Sequence, residues 1–237
     1  MFKQFYSLLW LRCKIILFNK VILLQILMPI GLAYLYKFMI DNQSESKEQL
    51  TIPYLMICLS LSFALAIGGP VLTVMAEEEE KEKNNLKMLL LSGISFFKYL
   101  LSTVVFPIII SAFYVIILPI ILGVQIENVT NYTLVCVLTV IVILLLYLLL
   151  GLLAKSQVMA QTFAIPTMLV SAFLPMLSNM NKTISKIVDY SYMGFFTKFF
   201  TKWKDFLWNH SVVQLISILI WISCLLFFVT VVAKKQK

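Results

Sequence analysis

Six stretches of the chain, residues 21–40, 52–76, 100–124, 132–154, 158–177 and 212–233, are almost purely apolar, and short polar segments separate them. Crossing roughly 30 Å of hydrocarbon takes about 20 helical residues, so each stretch is long enough to span a membrane. The pattern predicts an all-α, polytopic membrane protein with six transmembrane helices, folded as one unit over residues 1–237, because no connection is long enough for a separate soluble domain.

Residues 1–20 follow a different pattern. At 100° per residue Lys3, Gln4, Ser7 and Lys14 share one stripe, while Phe2, Phe5, Leu9, Cys13 and Ile16 lie away from it. That is the pattern of an amphipathic helix lying on a membrane surface. Two residues break it, with Leu11 inside the polar stripe and Arg12 outside. A signal peptide would need a small-residue cleavage site, and none follows the first apolar stretch. Within the spans Gly68-Gly69-Pro70 stands out, because it removes a backbone donor and a stiffening side chain together; it reads equally as a hinge or as a packing kink.

Residues 178–211 interleave five lysines with aromatic rings, among them Tyr190, Phe195, Phe199, Trp203 and Trp208. So many rings do not stay disordered in water, and Tyr and Trp favour the bilayer interface. One or two short helices dipping into the outer leaflet are expected here, serving as an outer gate or as an anchor.

Composition narrows the class. Hydrophobic residues make up 61% of the chain and the mean hydropathy is +0.96, outside the range of soluble domains. The net charge of +8 lies in loops and tails beside apolar stretches, which favours lipid head groups over nucleic acid. Twelve of the nineteen Lys and Arg fall on the side that holds both termini, so both termini are expected in the cytoplasm, with residues 178–211 as the discordant outer loop. Cys13, Cys58, Cys136 and Cys224 are far apart and form no CxxC, so neither a disulfide framework nor a metal site is expected. The N-x-[ST] matches at Asn42, Asn128, Asn131, Asn181 and Asn209 follow from a Lys-, Ile- and Asn-rich composition typical of a low-GC bacterium, and a bacterial cell membrane is the expected location.

The segment 77–99 is the longest charge-dense one. Four glutamates at a helix C-terminus oppose the dipole, whereas a helix that continues beyond them pairs Glu77 with Lys81 and Glu79 with Lys83 at i,i+4. Asn84 and Asn85 then end that helix or cap a new one, on which Leu86, Leu89 and Leu90 share a face. Full burial of such leucines is worth roughly 1.5–3 kcal/mol each, so they call for a partner, or else for the membrane surface.

These residues carry a resemblance. The run from Glu80 to Ser95 resembles the connector between the second and third spans of type-2 ABC exporter permeases, which shows Glu-x-Glu, Gly-Thr-Leu-Glu, a leucine pair and Ser-Pro in turn. Glu80 and Glu82 match the acidic pair, Leu86 the leucine after Gly-Thr, Leu89 and Leu90 the leucine pair, and Ser92 the serine. Asn84-Asn85, Lys87 and Gly93 depart from the pattern. The resemblance extends over nearly the whole chain, and it implies an N-terminal interfacial helix, six spans and short outer helices between the last two. It also implies that 77–99 is a coupling connector seated on a separate ATP-binding subunit. Two such subunits would carry ATP and Mg and drive a homo- or heterodimer of permeases, with no cofactor held by this chain. The chain contains no G-x-x-x-x-G-K-[ST] loop of its own.

Two other classes fit less well. An ion-coupled carrier or channel places ionisable groups within the membrane, yet stretches two to six hold none and the first only Lys37, near its end. A membrane protease would have to rely on the sole histidine, His210, with a serine such as Ser217, and a metalloprotease needs more ligands than that. With so few polar groups in the spans, an amphipathic substrate is expected. Antimicrobial-peptide export or self-immunity ranks ahead of drug or lipid export.

Overall fold

The computed structural model describes residues 2–42, 47–81, 95–154, 156–178 and 181–235. It is 88% helical. In chain order the helices are α1 (Phe2–Phe18), α2 (Lys20–Asp41), α3 (Lys47–Lys81), α4 (Phe96–Leu122), α5 (Val129–Leu153), α6 (Gln157–Leu177), α7 (Lys182–Asp189), α8 (Gly194–Thr201) and α9 (Val212–Lys235), with a single 3-10 turn at Trp208–Ser211 before α9. Six of them, α2 to α6 and α9, contain segments long and apolar enough to cross a membrane.

Short polar residues set the helix starts. The side-chain oxygens of Asn19, Ser95, Asn128, Ser156 and Asn181 accept hydrogen bonds from Val21 and Ile22, Lys98, Asn131, Met159 and Thr183 at 3.0–3.4 Å. Each satisfies a backbone donor that the first turn would otherwise leave open. Two of the N-x-[ST] asparagines, Asn128 and Asn181, therefore have a structural job as caps.

Helix α3 is the axis of the bundle. Of its spanning segment 83% is buried, against 17% for α2 and 22% for the last span, and it packs on α2, α4, α5 and α6. Its 35 residues cover about 52 Å, well beyond the hydrocarbon thickness, and it runs without a break through Gly68-Gly69-Pro70 and Glu77–Glu80 to Lys81. The outward faces of α2, α4, α6 and α9 carry exposed Leu, Ile, Val and Phe, which suits a surface solvated by lipid.

Hydroxyls on the spans mostly return to their own helix. Ser62, Ser102, Ser111 and Thr139 donate to carbonyls three or four residues back at 2.7–2.8 Å, which removes their cost in an apolar surrounding. A smaller set ties helices together: Tyr114 donates to the Ile26 carbonyl of α2, Tyr132 to Val115 of α4 at 2.8 Å, and Ser60 to Ala172 of α6 at 2.9 Å. Such bonds help hold a bundle in a solvent where burying apolar surface gains nothing.

Candidate functional site

At one end of the bundle residues 194–208 fold into a packed aromatic cap. Phe195, Phe196, Phe199 and Phe200 of α8 are all buried. Phe206 joins the set, with ring centroids 6.1 Å from Phe195, 5.0 Å from Phe199 and 5.5 Å from Trp208. Trp203 stacks on Phe200 at 5.4 Å and meets Phe199 at 5.2 Å and Tyr132 at 6.1 Å. The indole N–H of Trp208 donates to Asn131 Oδ1 at 3.2 Å, which fastens the cap to the start of α5 and accounts for a third N-x-[ST] asparagine.

The segment reaches this position through a tight turn at Gly194. A Cβ there would sit 2.5 Å from the backbone oxygens of Val188 and Asp189, so no other residue fits without moving the main chain. Of the five residues expected at the outer gate, Phe195, Phe199, Trp203 and Trp208 come together. Tyr190 stands apart: its side chain is exposed, and its carbonyl accepts hydrogen bonds from Ser217 at 2.8 Å and Trp221 at 3.1 Å. Ser217 is thus engaged with backbone, away from the serine and histidine pairing considered for a protease.

Two clefts open beside the cap, of about 400 and 380 Å³, and Ile52, Trp203 and Lys204 line both. Trp203 forms a wall common to the two. The first also takes Lys202 and Asp205, and the second Glu127, so both linings mix charged and apolar side chains.

Below the cap lies a group of hydroxyls. Ser171 of α6 and Tyr192 share a hydrogen bond of 2.7 Å, both buried. The Tyr147 hydroxyl of α5 is turned toward this pair without closing a hydrogen bond on it. Burial pushes the Tyr192 phenol above its ordinary value near 10, and the Ser171 hydrogen bond draws it part of the way back.

The Tyr147 ring reaches from there to Gly68. A Cβ at 68 would lie 2.6 Å from Tyr147 Cζ and 3.0 Å from Met168 Cε, and one at 69 would collide with the Gln25 side chain. Gly68 is therefore required by close approach to a buried ring, whereas Gly69 meets only the end of a flexible side chain. The sequence left open whether they bend the helix or pack it, and the contact at Gly68 provides a packing reason.

The other end of the bundle carries the connector. Glu80 falls within α3, while Glu82, Leu86, Leu89, Leu90 and Ser92 lie outside the described residues. What frames the connector is visible: α3 runs into it, Ser95 caps α4 as the chain leaves it, and α1 packs on that start of α4.

A family model described as ABC-2 family transporter protein matches residues 19–234. The chain belongs to the ABC-2 transporter family. Neither the curated proteins nor the solved structures compared with it give a match. As an ABC-2 family member the chain is a multi-pass membrane permease of an ABC transporter. Permeases of this family normally lack an ATPase site and work with an ABC ATP-binding subunit, in keeping with the missing phosphate loop. No signal before the structure pointed to Gln25, Tyr147, Ser171 or Tyr192 as an interior polar line. Their spacing follows no motif, and only the packing of α2, α5 and α6 around α3 brings them close.

Proposed function

We propose that this ABC-2 permease is the membrane half of an exporter that carries an amphipathic substrate outward, with antimicrobial peptides or self-protection against them as the leading role. ATP and Mg bind the partner subunits, two copies of which act on a homo- or heterodimer of permeases in a bacterial membrane. Both termini and the segment 77–99 face the cytoplasm.

The observation that carries this reading is the contrast between the two ends of the family-matched bundle. One end continues through α3 into an acidic, leucine-bearing connector suited to a cytosolic partner, and the other is closed by rings of α8 and the turn before α9. Between them, the described parts of the membrane-crossing segments offer hydroxyls and carboxamides, and their one carboxylate, Asp41, is the last residue of its segment rather than part of a relay through the bilayer. In the mechanism that follows, ATP binding draws the two ATPase subunits together, and Leu86, Leu89 and Leu90 move with them. The displacement passes into α3 and α4, which emerge from the two ends of the connector.

The test replaces Leu86, Leu89 and Leu90 with Asp together and follows co-purification with a co-expressed ATP-binding subunit. Loss of the ATPase, with the permease still monodisperse, is the expected result. Unchanged association removes the coupling role from this segment.

A further inference from the structure

At the connector end of the bundle a cleft of about 260 Å³ opens between α2 and α6 with α3 as its floor; Gln25, Gly68, Gly69, Thr73, Ala160 and Ala164 contribute to its lining. Four of these six carry no side chain beyond a methyl group, and that is what leaves the space. Gln25 belongs to the second turn of α2 and Ala160 to the first turn of α6, so the cleft lies nearer the connector than the aromatic cap.

Gln25 is the unusual member. Its side-chain oxygen is buried against Gly69 and has no hydrogen-bond partner. Most serine and threonine hydroxyls on the spans return a bond to their own helix, but the Gln25 side-chain oxygen reaches no such partner. An amide acceptor left unmet in an apolar surrounding is costly and calls for a reason. A small rotation of the side chain turns the same group into the cleft it lines.

We infer that this cleft receives the neutral amide group of an amphipathic peptide, recognised by the Gln25 carboxamide. A carboxamide offers an acceptor and a donor side by side, the complement of the N–H and C=O of a peptide bond. Among the described residues no Asp, Glu, Lys or Arg lines the cleft, so none of them balances a charged group there. The apolar part of the ligand would lie along Leu24 and Met28 of α2 or Ile165 and Leu169 of α6, all exposed on the lipid side. This assignment deepens the exporter reading and rests on it for one point, that the connector end is the loading side.

The test uses the full-length chain in lipid nanodiscs and a diazirine-bearing N-dodecanoyl tetrapeptide, alongside its depsipeptide analogue in which esters replace the central amides. Crosslinks are mapped to the sequence and titrated. The amide probe is expected to label α2 and α6 saturably, about five- to tenfold more tightly than the ester, as for the loss of one buried hydrogen bond. Gln25→Leu should erase that preference by weakening the amide to the level of the ester, and Ala164→Phe should abolish labelling by filling the cleft.

Equal labelling by amide and ester in the unaltered protein overturns the assignment, as does a preference that survives Gln25→Leu, labelling confined to other segments, or no labelling. ATPase association in the Leu86, Leu89 and Leu90 variant is read separately. If the exporter reading fails there while the amide preference persists, the cleft assignment stands without it.

Discussion

The guanidinium of Arg12, in α1, lies 4.8 Å from the centroid of the Tyr99 ring in the first turn of α4, and both side chains are almost wholly buried. The N-terminal helix is thereby fastened to the span that leaves the connector. A cation over an aromatic face is worth about 2 kcal/mol when desolvated, so Arg12→Leu is expected to loosen α1, and Arg12→Lys to do so less. Cys13, partly exposed on the same helix, reports it: aqueous maleimide should label Cys13 faster in Arg12→Leu than in the unaltered protein. Equal rates would show that the contact does not hold α1.

Gly68 and Gly69 adjoin in sequence and should respond differently to alanine. A Cβ at 68 meets the Tyr147 ring, which is fully buried and has nowhere to turn. Overpacking of this kind costs about 1–3 kcal/mol. At 69 the obstacle is the end of a flexible, half-buried glutamine, which swings aside, while alanine gains up to about 1 kcal/mol of helix propensity over glycine. Thermal unfolding in detergent should therefore show a clear loss for Gly68→Ala and little change for Gly69→Ala. A loss of similar size at both would point to a backbone role shared by the pair.

The two glycines also show what could be read from the chain. Their presence beside Pro70 marks a special place, but the side chains they pack against, Tyr147, Met168 and Gln25, lie on three other helices, and no local pattern predicts them. Arg12 is similar. By periodicity it is misplaced on the apolar side of α1, and the Tyr99 ring it faces gives a reason for a cation turned inward. The six spans, by contrast, were legible to within a few residues, since length and apolarity alone decide what can cross a bilayer. The capping residues that start four of them, Asn19, Ser95, Asn128 and Ser156, were not read from the chain, because apolarity locates a span but not the polar residue that caps its helix two to five positions earlier. Tyr190 shows the limit of composition: it shares the aromatic segment with Phe195 and Trp203, yet its ring turns away from theirs.

Gly194 holds the turn that delivers α8 to the cap. Since a Cβ there would meet main-chain oxygens at 2.5 Å, Gly194→Ala should shift α8 and loosen the rings around Trp203 and Trp208. Tryptophan emission should move to longer wavelength and thermal stability should fall. An unchanged spectrum would mean that the cap is held from the Asn131 side, by the hydrogen bond to Trp208.

The Ser171–Tyr192 hydrogen bond gives a stability term with a defined dependence on pH. Burial raises the Tyr192 pKa above the value near 10 that it has in the unfolded chain, so the folded state keeps its proton where the unfolded state has begun to lose it. The contribution is complete below about pH 10 and diminishes as pH rises from there through the folded value. Tyr192→Phe removes the ionisation together with the hydrogen bond. At neutral pH it should lower stability by about 1 kcal/mol, because Ser171 loses its partner. Above pH 10 the gap between the variant and the unaltered protein should narrow, since only the latter still carries the phenol. Unfolding temperatures of both proteins measured from pH 8 to 11 give the difference directly, and a gap that stays constant or widens on the alkaline side would mean that Tyr192 titrates alike in the folded and unfolded chain.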